Sequence, residues 1–164
     1  MQRHVWLQPV IARPMVRWCY ADKLAQKGSN MMLQLNEPAL HAGVVTDNGE
    51  RMLDFYTRVL GLKSVGEVSF PELGVVHKLR CGHSLLKLLV LDQPATSNNP
   101  RGGFSSATGY RYLCMSIMNL DEVVDACRKD GCDIPVAVKE IRPGVKAAMI
   151  EDPDNNAIEL MQMD

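Results

Sequence analysis

The sequence predicts an α+β fold: two tandem βαβββ modules forming an open, curved, mixed eight-stranded sheet around a cleft, with the helices outside. Three observations predict it. A pattern of one apolar strand, one amphipathic helix and three further strands occurs twice in 164 residues. Matching residues of the two copies (Asn48 and Asn119, Asp54 and Asp125, Arg58 and Lys129) stand 71 positions apart. One such unit cannot cover both faces of its own sheet, so two side by side make the natural globule.

The first module spans residues 38–92. Its opening strand is the run Leu40 to Val45. Thr46-Asp47-Asn48 is a helix-capping signal, and Met52, Phe55, Tyr56, Val59 and Leu60 then recur at the three- and four-residue spacing of one helix face. Gly61 ends the helix as a C′ glycine does. Strand-like runs follow at Leu62 to Val68, Val75 to Arg80 and Leu85 to Leu91, separated by turns at 71–74 and 81–84.

The second module spans residues 109–164 and repeats the plan. Tyr110 to Met118 is the strand, Asn119-Leu120-Asp121 the cap, Val123, Val124, Ala126 and Cys127 the helix face, and Gly131 the stop. Strands then read Ile134 to Glu140, Val145 to Ile150 and Ala157 to Met161. Between the modules, residues 93–108 have the Pro, Ser, Asn and Gly content of a linker.

Composition narrows the function classes. A formal net charge of −1 leaves no basic surplus for nucleic acid. The longest apolar run, Leu85 to Leu91, contains Lys87 and is too short to cross a bilayer, so no membrane partner is expected. Five cysteines with no CxxC pair read as reduced cytoplasmic thiols and neither a disulfide framework nor a zinc cluster. Residues 1–32 form an N-terminal extension. Its arginine bias suits a transit peptide, but Pro9 and Pro14 interrupt it and serine is scarce. The alternative is a start at Met31 or Met32, with Trp6 and Trp18 docking loosely on the body at most.

Three stretches together resemble the vicinal oxygen chelate superfamily, which includes glyoxalase I, methylmalonyl-CoA epimerase, extradiol dioxygenases and bleomycin resistance proteins. They are His41-Ala42-Gly43-Val44-Val45, Phe55-Tyr56 with Val59-Leu60-Gly61-Leu62, and Glu151-Asp152-Pro153-Asp154-Asn155-Asn156-Ala157-Ile158-Glu159-Leu160. The resemblance implies a divalent-metal site (Zn, Mn, Fe, Ni or Mg) with one ligand from the first and last strand of each module. Those positions here are His41, Lys87, Tyr112 and Glu159. His41 and Glu159 match the expected ligand types; Lys87 and Tyr112 depart from them.

The departures have a physical consequence. A lysine offers donors, no lone pair and a charge that repels a cation, and tyrosine ligates well only as phenolate. The expectation is therefore a degenerate metal site and no cofactor. Lys87 takes the cation's place, Tyr112 donates to the same substrate oxygen, and Glu159 or His41 moves a proton. Because the run around Lys87 is apolar on both faces, Lys87 is expected to be buried and paired with Glu159. Arg80, Arg111 and Arg142 are the candidates for holding an anionic substrate at the rim. The function expected is action on a small, anionic, oxygenated metabolite. The alternatives are a non-catalytic binding or sequestration protein of the resistance type, and a metal-dependent lyase, isomerase or dioxygenase. By the same resemblance the protein is expected to be a homodimer. Since both modules are complete without the extension, a chain starting at Met32 should melt within a few degrees of full length, on the order of 1 kcal/mol. Thermal denaturation of the two chains checks this.

Overall fold

The computed structural model describes residues 33–163, so the extension with Trp6 and Trp18 lies outside the described residues. All eight strands appear in the expected order. In the first module they are β1 (Ala42–Thr46), β2 (Lys63–Phe70), β3 (Gly74–Cys81) and β4 (Ser84–Leu91). In the second they are β5 (Tyr112–Ser116), β6 (Val136–Arg142), β7 (Val145–Glu151) and β8 (Ala157–Met163). Helices α1 (Gly49–Asp54) and α2 (Leu120–Lys129) follow β1 and β5.

The strands form two open sheets of four, ordered β1-β4-β3-β2 and β5-β8-β7-β6. The continuous eight-stranded sheet is thus divided into two hydrogen-bonded halves. Among the described residues β1 pairs only with β4, and β5 only with β8. Each sheet carries its helix on one face, and the two helix-covered faces share one core that includes Met52, Leu79, Leu88, Val124, Ile150 and Ile158.

Two local departures concern the helices. The spacing predicts one regular helix to Leu60, but Phe55–Val59 forms a π-helical turn, closed by the Leu60 amide donating to the Phe55 carbonyl at 3.0 Å. Both Phe55 and Tyr56 are buried there, with their rings edge-on at 5.1 Å. The wider turn fits two adjacent bulky side chains into one core. The expected caps are also replaced. Neither Asn48 nor Asn119 caps its helix with its side chain; the Thr46 hydroxyl accepts from the Asn48 amide, and the Leu120 amide donates to Gln162 Oε1. The stops at Gly61 and Gly131 do hold, with φ of 71° and 82°.

One buried carboxylate ties the modules together. Asp152, in the β7–β8 turn, is only 4% exposed. It accepts the Tyr56 hydroxyl at 2.7 Å, the amides of Asp154 and Asn156 at 3.0 and 2.9 Å, and the side-chain amide of Asn156. Burial raises the carboxyl's pKa, and these donors act against the shift. Tyr56 is pushed well above its ordinary value, first by burial and then by the Asp152 charge. Around this contact, Asn48 donates to Asp154, and Arg58 pairs with Asp130 at 2.6 Å.

Removing this carboxylate strands several buried donors. Asp152→Ala should cost about 2–4 kcal/mol and Tyr56→Phe about 1–2 kcal/mol, read from urea unfolding. The pH dependence has a definite sign. A tyrosine whose folded pKa is raised contributes stability that is intact below its unfolded value, about 10, and lost as pH rises above it. The wild type should therefore lose stability above that pH more steeply than Tyr56→Phe.

Candidate functional site

The strand period of two gives each sheet a covered and an open face. In the first sheet, Leu79, Leu86 and Leu88 point to the helix side and are buried. The alternate residues form the open face. On β4 these include Leu85, Lys87 and Leu89, and their register partners on β3 are Arg80, Lys78 and Val76. Phe70 and Val68 extend this face along β2, and Val45 and Gly43 along β1.

Four cations stand on the open face. Lys87 is directly opposite Lys78 across β4 and β3, with Arg80 diagonal to it and Lys63 beside Arg80. None of the four makes an ion pair or side-chain hydrogen bond among the described residues. Lys87 is exposed, which corrects the expectation of burial. Its strand is central, as expected, but no helix covers the side to which it points. No ion pair joins it to Glu159 within the chain. Lys78 is the residue the sequence reading missed. A four-residue turn pairing Cys81 with Ser84 fixes Lys78 opposite Lys87 by counting back along both strands.

The first-strand histidine is committed at both ring nitrogens. His41 Nδ1 accepts the Leu85 amide at 2.9 Å, which leaves the proton on Nε2, donated to Glu37 at 2.8 Å. His77, an inner-strand histidine, is satisfied by Glu67 at 3.2 Å.

The open face of the second sheet carries Tyr112, Cys114 and Ser116 on β5, with Ala157, Glu159 and Met161 as their register partners on β8. Tyr112 packs against Phe104 of a 3₁₀ turn in the linker (Gly103–Ser105), with ring centroids 4.4 Å apart. Cys114 is exposed, and its thiol donates to the Met161 thioether at 3.7 Å. Partial burial and the Glu159 carboxylate beside it raise its pKa.

The three arginines separate. Arg80 belongs to the cationic face. Arg111 spends its guanidinium on the linker, donating to the Pro100 carbonyl at 2.8 Å and to Asn99, Gly103 and Ser106. It is thereby a brace for the linker. Arg142 is exposed at the end of β6, the edge of its sheet opposite β5, so it stands away from Tyr112 and Glu159. A polar groove of about 360 Å³ lies elsewhere, lined by Asp47, Asn48, Asn99, Arg101, Asp154 and Asn155, and contains none of the expected site residues. Among the described residues no cluster of three His, Cys, Asp or Glu side chains is placed to hold a metal, and no helix is long and apolar enough to cross a membrane.

The sequence profile of the Glyoxalase/Bleomycin resistance protein/Dioxygenase superfamily matches residues 39–160. The chain belongs to this superfamily. Lactoylglutathione lyases of Escherichia coli O157:H7 and Shigella flexneri are each 26% identical over 129 residues, covering 75% of this chain and 90% of theirs. A glyoxalase family protein of Bacillus cereus shares the fold with a TM-score of 0.68 at 18% identity, covering 84% of this chain and 99% of its own. An antibiotic binding protein from Streptomyces sp. CB03234 does so with a TM-score of 0.56 at 20% identity, covering 81% and 99%.

Within this glyoxalase-type chain, the residues that carry the resemblance are largely structural. Tyr56 and the Asp152–Asn156 turn form the buried contact between modules, and Gly61 ends the first helix. The four positions that the resemblance implies as ligands are split between two open faces, Lys87 on one and Tyr112 and Glu159 on the other, with His41 just before β1. Since Lys87 is solvent-exposed and unpaired among the described residues, Lys87→Ala should change folding stability by no more than about 0.5 kcal/mol. A larger loss in chemical denaturation would show a buried partner.

Proposed function

We propose that the protein binds and acts on a small, anionic, oxygenated metabolite, held by lysines where the family resemblance implies a metal. The observation that carries this is the directly opposed pair Lys78 and Lys87, with Arg80 beside them, on a face no helix covers. Like charges directly across a strand pair are destabilising, and a bound anion relieves them. The curated relatives are named for lactoylglutathione, a compound of this chemical class.

A hard divalent cation does not fit the residues present. Both nitrogens of His41 are engaged, Lys87 has no lone pair, Tyr112 offers a phenol, and Glu159 is the one carboxylate among the four. No step is therefore assigned to a metal. In this reading Lys87 and Lys78 hold the substrate's negative oxygen and stabilise charge developing there. Tyr112 and Glu159 lie on the open face of the other sheet; where a homodimer brings the two faces together, Tyr112 donates its hydroxyl to the same oxygen and Glu159 moves a proton. The same reading has a homodimer complete the cleft. The outer edges of β1 and β5 have no strand partner among the described residues, and Val45, Phe70 and Tyr112 remain 57%, 46% and 52% exposed.

The test is a thermal-shift and calorimetric screen of small carboxylates and phosphates on metal-analysed protein. A ligand that raises the melting temperature should bind at least about tenfold more weakly to Lys87→Ala and to Lys78→Ala, a loss of about 1.4 kcal/mol. Near-stoichiometric divalent metal, or binding indifferent to both lysines, would overturn the reading. Binding that needs the lysines but never leads to turnover would leave the sequestration protein. Sedimentation should give a species of twice 18.2 kDa at micromolar concentration, and a monomer would refute the dimer.

A further inference from the structure

The second sheet's open face holds two sulfur donors that the anion reading does not use, beside Glu159, which it does. Cys114 on β5 and Met161 on β8 place a thiol and a thioether 3.7 Å apart on an accessible surface. Glu159, on the same strand as Met161, is the register partner of Cys114 on one side and of Met149 of β7 on the other, and so sits on the same face. Cys114 on the edge strand β5 and Met161 on its neighbour β8 are diagonal across the strand pair, and neither lies in a loop.

That spacing has a metal-binding meaning. Two sulfurs each about 2.3 Å from one ion, with a near-tetrahedral angle between them, lie about 3.8 Å apart. The two sulfurs therefore stand where an ion could bridge them with little side-chain movement. Their chemistry selects the ion. A thiolate and a thioether are soft donors that favour a monovalent d¹⁰ cation over magnesium, manganese or calcium. Lysine cations on the other sheet do not touch this group among the described residues.

We propose that Cys114 and Met161, with the Glu159 carboxylate completing the set, form a binding site for a soft monovalent cation of the copper(I) or silver(I) class. Binding replaces the thiol proton: the S–H bond breaks, the proton passes to solvent by way of Glu159, and the sulfur–metal bond forms with no change of oxidation state. This goes beyond the anion reading and does not depend on it.

The experiment titrates copper(I), kept reduced by ascorbate, into full-length protein against a chromophoric copper(I) chelator. The background is Cys19→Ser with Cys132→Ser, which removes other thiols that compete. One chelator-resistant equivalent is expected. It should be lost in Cys114→Ser and weakened at least tenfold in Met161→Leu, a change that conserves volume, while Cys81→Ser leaves it intact. Peptide mapping after alkylation should show Cys114 protected by one equivalent of the ion. If the background protein surrenders all its copper(I), or Cys114→Ser retains it, the site does not exist. If Met161→Leu binds as tightly as its parent, the thioether is not a ligand and the two-sulfur site is wrong. Anion binding measured on the same samples is a separate readout, so failure of one proposal does not carry the other.

Discussion

The carboxylate of Asp152 is where the two modules become one molecule. It is nearly inaccessible to water, and four donor groups converge on it from its own turn and from Tyr56 in the other module. A buried charge survives only when its lone pairs are occupied, so the turn and the first helix must keep their mutual position for the carboxylate to be tolerated. The π-helical turn at Phe55–Val59 brings the Tyr56 ring inward to reach it. The short-range geometry of the β7–β8 turn thereby fixes a contact between residues 96 positions apart.

That arrangement decides which sheet faces are free. Each helix covers one side of its sheet, and both helix-covered sides are consumed by the shared core. The other sides stay open and receive every alternate residue. On the first sheet those residues include Lys63, Lys78, Arg80 and Lys87; on the second they include Tyr112, Cys114, Glu159 and Met161. The molecule thus presents a cationic surface and a surface of sulfur, phenol and carboxylate. The scaffold of this superfamily supplies the two faces, and the side chains upon them set the chemistry.

Much of the fold was legible because its signals are local. Short apolar runs bounded by Gly, Pro and Asn turns mark all eight strands, and Gly61 and Gly131 mark the helix ends because only a left-handed residue fits there. The exposure of Lys87 was not legible. The run Leu85 to Leu91 is apolar at all positions except Lys87, so periodicity alone does not tell a bare face from a covered one. The part of Arg111 in bracing the linker was equally hidden, since it depends on where carbonyls of residues 100 and 103 fall in space. Lys78 could have been found from the hairpin register. It belongs to no motif; cross-strand pairing with Lys87 gives it meaning.

The proposed function puts lysines where the family resemblance implies a metal. Its most direct test is a crystal structure of the purified protein with whatever ligand it retains from the cell, checked by anomalous scattering. The predicted result is a small anion within hydrogen-bond distance of the ammonium groups of Lys78 and Lys87, with no divalent cation near His41. A divalent ion ligated by His41 and Glu159 would contradict it.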